Sequence, residues 1–246
     1  MKLNTVVCKT FNAALCGAVL LGLPIATLAA DAPAPRTDRV LTQEQQAALT
    51  PDAVVEILVQ GNGRYVTNDR TVRDHSALIR DAVGGQYPKA AILSCLDSRI
   101  PVEDVFDLGI GDLFVARVAG NFENTDILGS LEYATMVSGS KVVLVLGHEN
   151  CGAIRAAIDN VELGNITAML ENIKPAVATV IESGYEGEPA SANPEFVHLV
   201  AAENVRLTIR NIREKSPIMN EMEQTGKLSI IGGLYDLKTG EVELLD

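Results

Sequence analysis

The sequence predicts an α/β fold in which a mainly parallel sheet is flanked by helices, with an N-terminal helical arm and a closing C-terminal strand pair. Short apolar runs typical of buried strands, such as residues 90–95 and 141–147, alternate with longer segments whose apolar residues have helical spacing. The turn-forming residues 238–240 separate the last two runs, which indicates a hairpin. With 246 residues, 47% of them hydrophobic, the chain can bury the core that such a sheet requires.

Each predicted element has its own local signal. Continuous apolar composition predicts strands at residues 90–95, 113–118, 141–147, 228–235 and 242–245. Helical spacing predicts helices at residues 41–49, 76–83, 101–107, 124–137, 153–163, 166–183 and 196–215. A further helix starts at Thr50-Pro51, because threonine is a good N-cap and proline suits the first helical position, and its apolar face extends to Gly61.

The N-terminus has the composition of a secretory signal peptide. Lys2 and Lys9 precede an uncharged stretch at residues 10–30, and small residues at its end offer a cleavage site before Asp31. We therefore expect export to the periplasm with removal of this segment. An uncleaved membrane anchor through residues 10–30 is the alternative, which Pro24 disfavours. The predicted organisation is a signal peptide at residues 1–30, a linker and N-terminal arm at residues 31–50, and one folded domain at residues 51–246.

The charge balance bears on the class of partner. The chain has 20 Lys and Arg residues against 32 Asp and Glu residues, which gives a formal net charge of -12. Nucleic acids and anionic membrane surfaces attract basic proteins and repel acidic ones. We therefore predict no nucleic-acid partner and no stable membrane association once the signal peptide is removed.

Three side chains that bind transition metals follow two of the predicted strands. Cys95 ends the strand at residues 90–95, and His148 and Cys151 follow the strand at residues 141–147. The carboxyl ends of parallel strands share one crevice, so these residues can converge there. Thiolate sulfur and imidazole nitrogen are the preferred ligands of zinc, and a site with only three protein ligands keeps a position open for water. The pattern therefore predicts one catalytic Zn²⁺ ion per subunit.

The number of cysteines leaves an alternative open. Cys8 and Cys16 belong to the predicted signal peptide, so the mature chain keeps only Cys95 and Cys151. Two cysteines in an exported protein also suit a disulfide. The alternative hypothesis is therefore an exported, non-enzymatic binding domain with a disulfide between these two residues.

An acidic and a basic residue follow the first cysteine closely. Asp97, two residues after Cys95, is placed to orient a water bound to the metal, and Arg99 can keep its carboxylate ionised through a bidentate pair. Two other interpretations remain open at this stage. Asp97 could itself become the fourth ligand in a closed state, or the two residues could form an ordinary surface ion pair.

The combination of Cys95-x-Asp97-Ser98-Arg99 with His148-x-x-Cys151-Gly152 resembles the β-class carbonic anhydrases. The resemblance extends from about Pro51 to the C-terminus, and it includes Gly120-Asn121 and the segment Gly129-Ser130-Leu131-Glu132-Tyr133-Ala134. It implies that Cys95, His148 and Cys151 are the zinc ligands, that Asp97 and Arg99 are a catalytic dyad, and that Gln86, Phe114 and Tyr133 line a narrow substrate pocket. It also implies a homodimer or larger homo-oligomer.

The function implied by the resemblance is zinc-dependent, reversible hydration of carbon dioxide to bicarbonate and a proton, by a zinc-bound hydroxide gated by the Asp-Arg dyad. Residues 51–246 would then be the catalytic domain of a lyase. Another zinc enzyme with two cysteine ligands and one histidine ligand is the alternative. Alcohol dehydrogenases are disfavoured because no dinucleotide glycine fingerprint follows the first strand, and nucleobase deaminases because their paired Cys-x-x-Cys is missing.

Overall fold

The computed structural model describes residues 39–245, so the predicted signal peptide at residues 1–30 lies outside the described residues. The five strands are β1 Ala90–Ser94, β2 Leu113–Arg117, β3 Val142–His148, β4 Ser229–Tyr235 and β5 Val242–Leu245. They form one sheet in the order β2-β1-β3-β4-β5. The first four pair with one another in parallel, and β5 runs antiparallel to β4. The predicted parallel sheet and its closing strand pair are therefore confirmed.

Ten α-helices are described in residues 39–245. They are α1 Gln43–Ala47, α2 Pro51–Val66, α3 His75–Ala82, α4 Val102–Val105, α5 Thr125–Glu132, α6 Gly152–Ile158, α7 Gly164–Leu170, α8 Lys174–Glu182, α9 Pro194–Lys215 and α10 Pro217–Gln224. A π-helical turn, Tyr133–Val137, continues α5. In the described part of the chain, no helix is both long enough and apolar enough to cross a bilayer.

Helices cover both faces of the sheet, as the continuous apolar strands predict. In β1, Ala90 and Ile92 belong to the core formed with α2 and α4. Ala91 and Leu93 point the other way, into the larger core formed with α6, α8 and α9. This alternation follows from the two-residue period of a strand, and it means that every residue of β1 is buried.

The start of α2 agrees with the sequence signal, but its end lies further along the chain. Thr50 is the N-cap, its hydroxyl accepts a hydrogen bond from the backbone N–H of Ala53 at 3.2 Å, and Pro51 is the first helical residue. The helix continues past Gly61 to Val66. A Cβ atom at Gly61 would lie 2.0 Å from the carbonyl oxygen of Phe106, so this glycine permits close packing and does not end the helix.

Two helical features in the second half of the chain differ from the prediction. The single helix predicted at residues 166–183 is divided into α7 and α8, because Pro175 lies in the first turn of α8 and favours a new helix start there. The additional helix α10 was not predicted. Its signal is Ser216-Pro217, in which the Ser216 hydroxyl caps the helix by accepting a hydrogen bond from the Met219 N–H.

Candidate metal centre

Cys95, His148 and Cys151 come together at the carboxyl edge of the sheet. Cys95 follows β1 directly, His148 is the last residue of β3, and Cys151 is the N-cap of α6. One ligand atom from each residue lies within 4.8 Å of the others, and all three side chains are buried. The structure therefore brings the three predicted ligands into one cluster.

The strand register explains this convergence. β1 and β3 are parallel neighbours in which Ser94 pairs with Leu146, so Cys95 and His148 leave the sheet side by side. The chain then turns sharply at Asn150, whose φ of 52° lies in the left-handed region that asparagine tolerates better than most residues. This turn returns the chain to the cluster, where Cys151 begins α6.

The His148 ring is prepared for a metal. Its Nδ1 atom lies 2.8 Å from the backbone carbonyl oxygen of Glu149, and since a carbonyl can only accept, Nδ1 carries the proton. The other ring nitrogen, Nε2, then carries a lone pair. It is buried and has no hydrogen-bond partner among the described residues. A buried acceptor of this kind is costly unless something satisfies it, and a cation bound by the cluster would do so.

The two sulfur atoms lie 3.8 Å apart, and both cysteines are free. A disulfide requires about 2.05 Å between sulfur atoms, so the disulfide hypothesis is not supported by this geometry. The hydrogen bond from Cys151, together with backbone hydrogen bonds, lowers the pKa of Cys95 to about 4, although burial opposes this shift. The hydrogen bond to Cys95, together with burial, raises the pKa of Cys151. Without a metal, only one of the two cysteines is therefore readily deprotonated. A divalent cation would stabilise both thiolates at once.

Asp97 and Arg99 form a bidentate pair at the rim of the cluster. Asp97 Oδ1 accepts from Arg99 Nε at 2.8 Å and from the Arg99 backbone N–H at 3.0 Å, and Oδ2 accepts from Nη2 at 2.6 Å. These hydrogen bonds from Arg99 hold the pKa of the Asp97 carboxyl well below its usual range. Oδ2 also lies 3.8 Å from His148 Nε2. The carboxylate is thus ionised, faces the cluster and is held by Arg99.

Arg117 and Gly120 also position this loop, although neither residue was predicted to have a role at the metal centre. Arg117 donates through Nε to the Cys95 carbonyl at 3.0 Å and through Nη2 to the Asp97 carbonyl at 2.5 Å. The Gly120 N–H donates to Cys95 Sγ at 3.4 Å. Arg117 ends β2, the neighbour of β1, so its position beside the loop was available from the predicted parallel sheet. For Gly120 the only sequence signal is its place in the Gly120-Asn121 motif of the family.

The three predicted pocket residues lie away from the cluster in the single chain. Phe114 and Tyr133 pack edge to face with ring centroids 6.2 Å apart and line one cavity, and Gln86 and Tyr133 line a second one. Neither cavity is lined by a residue of the metal cluster. Phe114 pairs with Ala91, four residues before Cys95, which is about 13 Å along a strand. Their predicted role beside the metal stays a prediction.

Comparison with known proteins identifies close counterparts. A family model described as carbonic anhydrase matches residues 90–242. Carbonic anhydrase 2 of Mycobacterium tuberculosis is 33% identical over 202 residues, which cover 80% of this chain and 93% of that protein. The carbonic anhydrase of Mycolicibacterium smegmatis is 31% identical over 201 residues, which cover 79% of this chain and 93% of that one.

Solved structures give the same result. The β-carbonic anhydrase CafA of Aspergillus fumigatus superposes with a TM-score of 0.64 at 26% identity, covering 70% of this chain and 82% of that one. A structure described as one of two tetrameric β-carbonic anhydrases of Sordaria macrospora superposes with a TM-score of 0.60 at 26% identity, covering 68% of this chain and 85% of that one.

Proposed function

The chain belongs to the β-class carbonic anhydrases, and from this premise we propose that it binds one zinc ion through Cys95, His148 and Cys151 and hydrates carbon dioxide reversibly to bicarbonate and a proton. The observation that carries the proposal is the buried cluster of two sulfur atoms and one unpaired imidazole nitrogen within 4.8 Å. This donor set is the one that zinc prefers. When bound, zinc acidifies a coordinated water, and carbonic anhydrase is the standard example of that chemistry.

In this proposal Asp97 accepts a hydrogen bond from the attacking oxygen and thereby orients it. Its carboxylate faces the cluster, and the bidentate pair with Arg99 keeps it ionised and therefore able to accept. The same pair engages both carboxylate oxygens, which favours an open metal site over one in which Asp97 is the fourth ligand. Arg117 supports the arrangement because it fixes the backbone on which Cys95 and Asp97 are carried.

We also propose a homo-oligomer that completes the substrate pocket. Gln86, Phe114 and Tyr133 lie far from the metal cluster of their own chain, so they can line its substrate pocket only if a second copy supplies them. Tyr133 is half exposed, as expected for a side chain that a partner covers. A related β-carbonic anhydrase is described as tetrameric.

Export is the remaining part of the proposal. The signal-peptide composition of residues 1–30 supports secretion to the periplasm followed by cleavage. The free cysteines at the metal centre fit this location if zinc occupies them, because a bound metal keeps thiolates from oxidation. N-terminal sequencing of the protein recovered from the periplasmic fraction would test it, and an intact N-terminus starting at Met1 would contradict it.

Stopped-flow measurement of carbon dioxide hydration tests the catalytic proposal. The purified protein is expected to contain one zinc per chain and to lose activity with a strong chelator, and added zinc should restore the activity. Cys151→Ser should lose both metal and activity. The matched control is His75→Ala, which removes a histidine at the exposed start of α3 and should keep both. Full activity in zinc-free protein would refute the proposal.

A further inference from the structure

Helix α9 contacts the loop that carries His148 and Cys151, and also the loop after β2 whose Gly120 donates to Cys95, although it contributes no ligand itself. From these contacts we infer that His198 and Asn204 of α9 are positioning residues, which hold His148 and Cys95 in the geometry that binds the metal. The inference rests on the proposed zinc site. It predicts that metal affinity depends on side chains that never touch the metal.

The first connection runs from His198 through Glu149 to His148. His198 Nδ1 lies 2.5 Å from Glu149 Oε1, and because an ionised carboxylate can only accept, the imidazole donates. The Glu149 backbone N–H donates to the Tyr235 carbonyl at 3.0 Å. Glu149 is therefore held at its backbone and at its side chain. Its carbonyl, which accepts from His148 Nδ1 at 2.8 Å, is fixed as a result.

The second connection runs from Asn204 through Gly120 to Cys95. Asn204 is buried, and its Nδ2 atom donates to the Gly120 carbonyl at 2.8 Å. The N–H of the same glycine donates to Cys95 Sγ at 3.4 Å. Gly120 adopts a φ of 87°, and a Cβ atom there would lie 2.4 Å from the Ile173 side chain. Asn204 thus fixes a backbone turn whose conformation suits glycine alone. This turn directs the Gly120 N–H group at Cys95 Sγ.

Helix α9 itself packs closely against the sheet near these two connections. A Cβ atom at Gly147 would lie 2.7 Å from the buried Val205 side chain, so the helix and the strand before His148 are in close contact. His198 and Asn204 are six residues apart, about 9 Å along a helix axis. One rigid element therefore sets the separation between two ligands that come from different strands, which lowers the cost of organising the site when metal binds.

The test measures metal binding, with zinc and cobalt(II) as the probes. His198→Ala and Asn204→Ala should each weaken zinc affinity by roughly 10- to 100-fold in competition with a chromophoric chelator, the usual cost of losing a residue that supports a ligand. The cobalt-substituted variants should also show altered d–d and thiolate charge-transfer bands. His198→Ala removes a partly exposed side chain, so thermal unfolding of its metal-free form should match that of the wild type.

Three further variants keep the test decisive even if Asn204→Ala does not fold. Glu149→Ala should weaken zinc as His198→Ala does, whereas Glu149→Gln, whose amide oxygen still accepts from His198, should bind zinc nearly as well as the wild type. Arg210→Ala is the control on the same helix, because Arg210 is half exposed and pairs with Glu203, away from the site. If the wild type binds zinc and both His198→Ala and Glu149→Ala bind it equally well, the inference is wrong. A wild type without zinc affinity would instead overturn the proposed function.

Discussion

The Asp97 carboxylate accepts three hydrogen bonds from one residue, Arg99, and yet it faces the metal cluster. Such a group stays ionised over the whole working pH range, because protonating it would sacrifice those charge-assisted bonds. Its role in the reaction is therefore that of a permanently charged hydrogen-bond acceptor. A side chain that preserves the shape but lacks the charge and one acceptor oxygen separates this role from a merely structural one.

Asp97→Asn should reduce the turnover of carbon dioxide hydration by roughly 100-fold or more, an effect comparable with the loss of one positioned hydrogen-bonding group from an active site. Zinc content should stay at the wild-type level, because Cys95, His148 and Cys151 are unchanged. Metal analysis and stopped-flow rates on the same sample provide the measurement. Asp81→Asn, at an exposed position in α3, is the matched control and should leave both values unchanged. Near wild-type turnover in Asp97→Asn would remove Asp97 from the mechanism.

The positions of individual site residues could be predicted from the sequence when those residues lie at the end of a predicted strand. Cys95 and His148 could be placed together because both leave adjacent parallel strands at the same edge. The pairing of His198 with Glu149 could not be predicted, since it depends on how α9 is laid across the sheet. No spacing rule connects a helix residue to a loop 49 positions earlier.

Helix α9 packs closely against the end of β3, and glycine makes this close packing possible. A Cβ atom at Gly147 would lie 2.7 Å from Val205 and 2.9 Å from Leu234. The strands themselves could be predicted from their apolar runs, but this contact could not. A glycine inside a strand indicates that another element packs closely there, and the sequence does not show which element it is.

Gly147→Ala should lower the free energy of unfolding by about 1–3 kcal/mol, as overpacking of a well-packed core usually does. It should also weaken zinc binding, since the displaced strand carries His148. Gly152→Ala is the matched control: it too lies beside a ligand, but a Cβ atom there meets nothing within 4 Å among the described residues. Chemical denaturation of the metal-free proteins gives the comparison. Equal stability of the two variants would contradict the packing argument.

Asp107, just after α4, has a buried carboxylate that links this part of the chain to α2 and to residues 71–73 through ion pairs and hydrogen bonds. Its carboxylate accepts from Arg64 Nε at 2.5 Å, Arg73 Nη1 at 2.8 Å and Thr71 Oγ1 at 2.8 Å. Burial alone would raise its pKa, but these hydrogen bonds outweigh burial and lower it from 3.8 to about 2. The folded state therefore binds this proton less readily than the unfolded chain does.

The lowered pKa of Asp107 gives a defined pH dependence of stability. Its contribution is fully present above the unfolded value of 3.8 and is lost as pH falls through about 2. Asp107→Asn suits the left-handed backbone at this position, where φ is 46°, and should cost roughly 1–2 kcal/mol at pH 7. The difference in unfolding free energy from the wild type should shrink between pH 4 and pH 2. A difference independent of pH would contradict this assignment.

In the whole molecule, the two halves of the expected active site lie at different places in one chain. The metal cluster is at the carboxyl edge of the sheet, and Gln86, before the first strand, is toward the opposite edge. The family resemblance indicated both the metal ligands and the pocket residues. That the two groups lie apart within one chain is seen only in the three-dimensional structure. The exposed side chains of Tyr133 and Val137 line a cavity together with Gln86, and the exposed Met136 belongs to the same π-helical turn.

In the proposed homo-oligomer, Met136→Glu should weaken self-association, because it would bury a charge at an interface formed by this exposed surface. Light scattering after size-exclusion chromatography should give a multiple of the subunit mass for the wild type and a smaller species for the variant. Zinc should remain bound while the hydration rate per chain falls. Ile181→Glu, a half-exposed apolar residue in α8, is the control and should leave the mass unchanged. A fully active monomer would show that one chain suffices.

The 3.8 Å separation of the Cys95 and Cys151 sulfur atoms has a practical consequence for reconstitution. In chelated protein an oxidant such as peroxide can take two electrons from the pair, with loss of two protons, after the sulfur atoms approach by only about 1.8 Å. The resulting disulfide would prevent metal uptake until a reductant opened it. Apoprotein should therefore be prepared in oxygen-free buffer containing a phosphine, since ageing in air would otherwise imitate an inactivating mutation.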